Sequence, residues 1–208
     1  MYKLYWAKSS GAMAAQALFE EIGIEYEKIV IDFERDEHRS EEFLSVNPMG
    51  QIPALILPDG TLMTESAAIL LQIVDQHPEA KLAPPAGSSE RARFLRWLFF
   101  LASALYPAIM RIYYPDRYST DPKAAEGVKA AAEADVDGQF AILEDALDPG
   151  PYLLGETFCA VDIFLWMLIE WHPDPARLFT KAPRLRQLSE RVHARPAIAR
   201  IWPEHEED

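Results

Sequence analysis

One cysteine, Cys159, occurs in 208 residues. A lone thiol excludes an internal disulfide framework and any zinc site built on several thiolates, and it suits a reducing compartment, so the expected location is cytoplasmic. Positive charge is also scarce. The chain has 20 Lys and Arg against 33 Asp and Glu, a formal net charge of −13, and a field of that sign repels phosphate backbones and anionic lipid heads. Nucleic acid is therefore not an expected partner. Long apolar runs are missing too: the longest, Trp97 to Met110, is shorter than a bilayer span and is bounded by Arg96 and Arg111. The opening stretch MYKLYWAKSSGAM has no signal-peptide core, and no membrane segment is expected. What remains is ordinary for a globular chain, half apolar and a quarter charged.

The pattern changes near residue 80. Before it, strand and helix signals alternate. Lys3 to Ala7 reads as a strand, and AMAAQALFEEIG reads as a helix stopped by Gly23. EKIVID reads as a second strand and SEEFLSV as a short helix opened by Ser40. PALIL and TLM, joined by the turn PDG, form an expected antiparallel hairpin, and ESAAILLQIVDQ closes this half as a helix. The implied architecture is a small mixed sheet with helices packed on it. Residues 77–89 carry three prolines and a glycine and read as a linker. The rest reads as helix: 90–114 with a kink expected at Pro107, about 122–147, about 160–171, 184–194, and a short helix from Ala197. The expected division is 1–78, a linker at 79–89, and an all-helical 90–208.

The most informative local pattern is VNPMGQIPAL, Val46 to Leu55, followed after the hairpin by ESAAIL from Glu65. Pro53 begins a strand where it cannot donate a ladder hydrogen bond, which leaves the Ile52 backbone free for an outside extended peptide. Glu65 and Ser66 open a helix whose unpaired N–H groups attract a carboxylate, while the Glu65 carboxylate suits an ammonium. Together they fit an α-amino acid head group. Taken alone, the same pair is also what an ordinary helix cap looks like.

These motifs, with PYLLGETFCAVDIF in the helical half, resemble the cytosolic glutathione transferases over essentially the whole chain. The resemblance implies a thioredoxin-like α/β N-terminal domain followed by an all-helical C-terminal domain. It implies that Ile52–Pro53 is a cis peptide bond whose strand edge pairs with the cysteinyl unit of glutathione. It further implies that Glu65 and Ser66 bind the γ-glutamyl end. The segment DEHRSEEFLSVNPMGQIPAL is similar to the phi-class pattern, which assigns His38, Arg39 and Gln51 to the pocket for the glycyl carboxylate; a forked arginine cation suits that group.

In serine-type relatives the activating serine precedes the glycine that ends the first helix by fourteen positions, which here gives Ser9, with Ser10 next in line. The cysteine position of beta-class enzymes falls on Gly11, so a mixed disulfide at that place is not expected. A hydroxyl donating to sulfur, aided by the positive end of the first helix, would favour the glutathione thiolate, the strong nucleophile. One departure is that the arginine often found just beyond the serine is replaced by the run Ala12 to Ala15.

In the helical half, Tyr106, Met110, Tyr113 and Tyr114 are the expected residues for a hydrophobic electrophile. The expected ligands are glutathione as cosubstrate and that electrophile, with no metal, and the resemblance alone implies a homodimer. A glutathione-dependent isomerase, dehalogenase or ether-cleaving enzyme would share the glutathione site, and a noncatalytic glutathione-transferase-like binding module is the alternative of another class. In ETFCAVDIF, Cys159 stands where the family's capping box has Ser or Thr, so a weakened cap held mainly by Asp162 is expected.

Overall fold

The computed structural model describes residues 1–206. The chain forms two compact units, one made of Met1–Lys81 together with the segment from His193 onward, the other of Leu82–Val192.

In the first unit, four strands lie in the order β2-β1-β3-β4: β1 (Tyr2–Trp6), β2 (Tyr26–Val30), β3 (Ala54–Ile56) and β4 (Leu62–Thr64). β1 runs parallel to β2, with Tyr2 opposite Tyr26 and Trp6 opposite Val30. The crossover between them is α1 (Ala12–Ile22), as parallel pairing requires. β3 is antiparallel to both β1 and β4, with Tyr5 opposite Ala54 and Ala54 opposite Thr64. The expected mixed sheet and hairpin are therefore present.

α1 is rich in alanine, the strongest helix former, and Ala12 to Phe19 are all buried. It stops at Gly23, whose left-handed φ of 79° lets its N–H reach the Phe19 carbonyl at 2.8 Å. α2 (Glu41–Val46) is capped by Ser40 Oγ, which accepts from Phe43 N–H at 3.1 Å. α3 (Ser66–Gln76) packs against α1 through a stripe that includes Ile69, Leu70 and Ile73. Burial of each such side chain is worth roughly 1.5–3 kcal/mol.

The sequence pattern assigned all of 90–208 to the helical half, but α10 (Pro196–Ile201) packs on α1 of the first unit. Ile198 and Ile201 are buried there, and the guanidinium of Arg195 makes a bidentate pair with Glu21, both bonds at 2.7 Å. Arg200 bonds Glu20 beside it at 3.0 Å.

The second unit is helical. α4 (Ser89–Phe100) runs through a wide π turn at Leu101–Leu105 into α5 (Tyr106–Tyr113), and α6 (Ala125–Ala146), α7 (Ala160–Glu170), α8 (Pro175–Lys181) and α9 (Pro183–His193) follow. The π turn accommodates Pro107, which lacks an N–H and whose ring crowds the carbonyl four residues back. By length and mean hydropathy alone, Ser89–Tyr113 is apolar enough to cross a membrane, a test that core helices also pass; its flanks pack against α6 and α7. α7 forms the centre of this unit, with every residue from Ala160 to Ile169 buried. α8 was not legible as a separate helix in the apolar pattern. It starts on Asp174, whose side chain accepts from Arg177 N–H at 2.9 Å, with Pro175 at the first helical position.

Candidate functional site

The strand register decides which loops meet. β1 ends where β3 begins, Tyr5 lying opposite Ala54, and β4 ends beside the start of β3. β2 runs parallel to β1 and ends level with it. The turn 7–11, the turn 47–53, the pair Glu65–Ser66 and the segment 31–39 therefore all leave the sheet at one end. Four stretches singled out in the sequence converge in one unit.

Ile52–Pro53 is a cis peptide bond, and both residues are buried. The turn before it is held by Asn47, whose amide Nδ2 donates to the Gln51 carbonyl at 2.7 Å while its Oδ1 accepts from Met49 N–H at 3.1 Å. Gly50 has a φ of +62°, and a Cβ there would stand 3.0 Å from the His38 carbonyl oxygen. That glycine lets the turn close onto the His38 backbone. His38 is partly buried, packs edge-on against Phe33 at 4.9 Å, and keeps Nε2 4.0 Å from Asp36. Its Nδ1 is buried without a hydrogen-bond partner. Arg39 is exposed, with Asp36 at 3.9 Å, and Gln51 is exposed.

Glu65 precedes α3 with a φ of 68° and an exposed side chain. Such a left-handed conformation in a non-glycine residue stores strain of order 1 kcal/mol. Ser66 is buried, and its Oγ donates to the Gly11 carbonyl at 3.1 Å. This bond ties the start of α3 to the β1–α1 turn.

The two serines of that turn differ. Ser10 is buried; its hydroxyl donates to the Ala7 carbonyl at 2.7 Å and accepts from Ala12 N–H at 3.3 Å, so it closes the first turn of α1. Ser9 is half-buried with a φ of 50°. Its hydroxyl donates to the His205 carbonyl at 2.8 Å, and its N–H donates to His205 Nδ1 at 3.2 Å. His205 was not found from sequence. A single histidine in the charged end EHEED, 196 positions from Ser9, carries no local signal.

Burial pushes the His205 imidazole down to about 4, against a weaker opposing pull from Glu204. It is neutral at pH 7, as a ring nitrogen that accepts from Ser9 requires. The other nitrogen, Nε2, then carries the proton and donates to Gln16 Oε1 at 2.8 Å.

In the helical unit, Tyr106, Met110, Tyr113 and Tyr114 fall on α5 and its end. The Tyr106 ring packs against Phe164 and Trp171, the Tyr113 hydroxyl donates to the Trp171 carbonyl at 2.9 Å, and Arg117 covers the Tyr114 ring at 4.0 Å. One aromatic face covered by a cation thus stands just beyond that helix. A separate cleft of ≈ 450 Å³ between α6 and α8 is lined by Phe140, Asp137, Arg177 and Lys181. Both of its cations are bound to Asp137, at 2.8 and 3.3 Å, which leaves little free charge for a ligand. Among the described residues, no three His, Cys, Asp or Glu side chains gather as a metal site would require.

Cys159 is buried and caps α7. Its thiol donates to Asp162 Oδ2 at 3.3 Å, and its N–H donates to the same oxygen at 2.9 Å. Burial, and then the Asp162 charge, push this thiol up, which disfavours the thiolate and any nucleophilic role.

Residues 1–75 match the family model for the glutathione S-transferase N-terminal domain, and residues 106–201 match that for a C-terminal domain. A glutathione S-transferase from a sphingomonad, solved in complex with glutathione, is 32% identical over 97% of this chain and 98% of its own, with a TM-score of 0.82. The chain belongs to the glutathione transferase family. A glutathione transferase homologue from Sulfitobacter, solved with bound glutathione, superposes with a TM-score of 0.90 at 25% identity, covering 98% of both chains. The uncharacterized GST-like protein YncG of Escherichia coli K12 is 29% identical over 99% of both chains. The family therefore includes similar chains of known ligand and others without an assigned activity.

Proposed function

We propose that this glutathione transferase family member binds glutathione in its first unit and activates the thiol for attack on a hydrophobic electrophile. The observation that carries the reading is the convergence of three features at one end of the sheet: the cis Ile52–Pro53 edge, the Glu65–Ser66 start of α3, and the turn that holds Ser9. In this reading the Ile52 backbone pairs with the cysteinyl unit of glutathione. Glu65 and Ser66 take the γ-glutamyl end, and His38, Arg39 and Gln51 take the glycyl carboxylate. Ser9 donates to the sulfur, with Ser10 fixing the turn. Tyr106, Met110, Tyr113 and Tyr114 supply apolar and aromatic selectivity for the cosubstrate.

Lowering the thiol pKa by about two units favours the charged form by roughly 2.7 kcal/mol. A charge-assisted hydrogen bond of about 1.5–3 kcal/mol is of the right size. The test is retention on immobilised glutathione together with turnover of chlorodinitrobenzene by wild type, Ser9→Ala and Ser10→Ala. Wild type should be retained and active, and Ser9→Ala should be retained with turnover reduced about tenfold or more. Retention without turnover of any electrophile would instead favour the noncatalytic binding module, and lack of retention would remove both readings.

A further inference from the structure

Ser9 has one hydroxyl proton, and that proton is already engaged. It points at the His205 carbonyl oxygen, 2.8 Å away, and the Ser9 amide is engaged by the His205 ring. The same proton cannot stabilise a thiolate while it is bonded there.

The segment that makes this contact is firmly seated. His205 is buried, and its ring lies against Trp6 with centroids 5.3 Å apart. Gln16 is fully engaged beneath it: Oε1 accepts from Trp6 Nε1 at 2.6 Å and from His205 Nε2 at 2.8 Å, while Nε2 donates to Glu204 Oε2 at 2.8 Å. Glu204 is held a second time by Lys28 Nζ at 2.6 Å, and that ammonium stands over the Trp6 ring at 4.7 Å. Two neighbouring residues near the C-terminus thus close a network over β1, β2 and α1 that ends on the Ser9 hydroxyl.

We propose that the C-terminal segment around Glu204 and His205 is an autoinhibitory latch: docked, it occupies the Ser9 hydroxyl; undocked, it frees that hydroxyl to donate to the sulfur of bound glutathione. The latch rests on the proposed role of Ser9 and adds a second, closed state to it. No covalent step is involved. One hydrogen bond, from hydroxyl to carbonyl, is exchanged for another, from hydroxyl to thiolate.

The test uses full-length protein carrying Glu204→Ala and His205→Ala together, which removes the side-chain anchors on both Gln16 and Lys28. The thiol pKa of bound glutathione is read by titrating thiolate ultraviolet absorbance, alongside turnover of chlorodinitrobenzene. Unlatching should lower the bound thiol pKa by about one unit or more, raise turnover below that pKa, and lose both effects when Ser9→Ala is added. The Glu204 side chain is 39% exposed, so Glu204→Ala alone serves if the double variant does not fold; a smaller shift of the same sign is expected.

An unchanged or raised thiol pKa in a variant that still binds glutathione would overturn the latch and leave the proposed function standing. Loss of glutathione retention in the variants alone would also overturn it, since the segment would then be a support for the site. Absence of retention in every form would overturn the functional reading and the latch with it.

Discussion

The start of α7 offers the sharpest test of how the helical unit is held. Asp162 is fully buried, and its carboxylate accepts Leu153 N–H at 2.9 Å on Oδ1 and Cys159 N–H at 2.9 Å on Oδ2. Asp162→Ala leaves two buried amides without these acceptors. Each orphaned donor costs about 1–3 kcal/mol, so the expected loss is about 2–6 kcal/mol, a large part of a typical total of about 5–15 kcal/mol. Removing a buried carboxylate returns some desolvation free energy, which favours the lower half of that range.

Asp162→Asn separates geometry from charge. It keeps one acceptor oxygen but sets an NH2 against the other amide, so it should also destabilise, by about 1–3 kcal/mol. Urea unfolding followed by tryptophan fluorescence and far-UV circular dichroism measures both variants, at an unchanged slope with denaturant. Glutathione retention per native molecule should not change, because the two amide bonds removed lie within the second unit, whereas the candidate glutathione residues belong to the first. A loss below about 1 kcal/mol for Asp162→Ala at constant slope, or a fall in glutathione affinity matching the loss of stability, would refute this account of the cap.

Acid should act on the first unit through His205. Its folded pKa of about 4 lies below the ordinary 6.5, so the unfolded chain binds the proton first; stability is complete above about pH 6.5 and falls as pH drops toward 4, by at most about 3 kcal/mol. Glu204 opposes this shift, and Lys28 and Lys8 add to it. His205→Gln should flatten that part of the profile in urea titrations at fixed pH, and an unaltered slope would show that other groups carry it. Separately, Arg195→Ala should cost about 2 kcal/mol, because it breaks a bidentate pair whose Glu21 side chain is only 8% exposed. Arg200→Ala, at a more exposed pair, should cost under about 1 kcal/mol in the same unfolding assay, and equal losses would contradict the ranking.

How much of this was legible depended on the range of each interaction. The sheet, its hairpin and α1 announce themselves within a few residues, through β-branched runs, the PDG turn and Gly23. The elements of the candidate site were readable because a strand-edge proline and a helix start are local features, and strand register then brings them together. α8 was missed although its start, Asp174 before Pro175, is a local capping signal; seven residues are too few for a convincing apolar period. The docking of α10 and His205 on the first unit could not be read at all. Those contacts join residues 174 to 196 positions apart, and neither an Arg–Glu pair nor a single histidine leaves a pattern in its own neighbourhood.

Charge placement bears on the proposed ligand more directly than composition does. Residues 1–78 hold five basic and thirteen acidic side chains, yet glutathione is itself an anion. The structure shows where part of this charge is neutralised. Glu20 and Glu21 are met by Arg200 and Arg195 from the C-terminal segment, and Glu27 is met by Lys3. Lys28 is committed to Glu204 and Arg35 to Asp32. Lys8 and Arg39 remain exposed, Arg39 with only a 3.9 Å approach to Asp36, and both lie on segments that leave the sheet at the end where the candidate residues converge. Screening in water weakens charges farther than about 8–10 Å away, so an anion arriving there responds to the charges carried by these loops, the cations Lys8 and Arg39 and the carboxylates of Asp36, Glu37 and Glu65. The sign of the proposed ligand is therefore to be weighed against this local mixture of charges, not against the whole acidic excess of the unit.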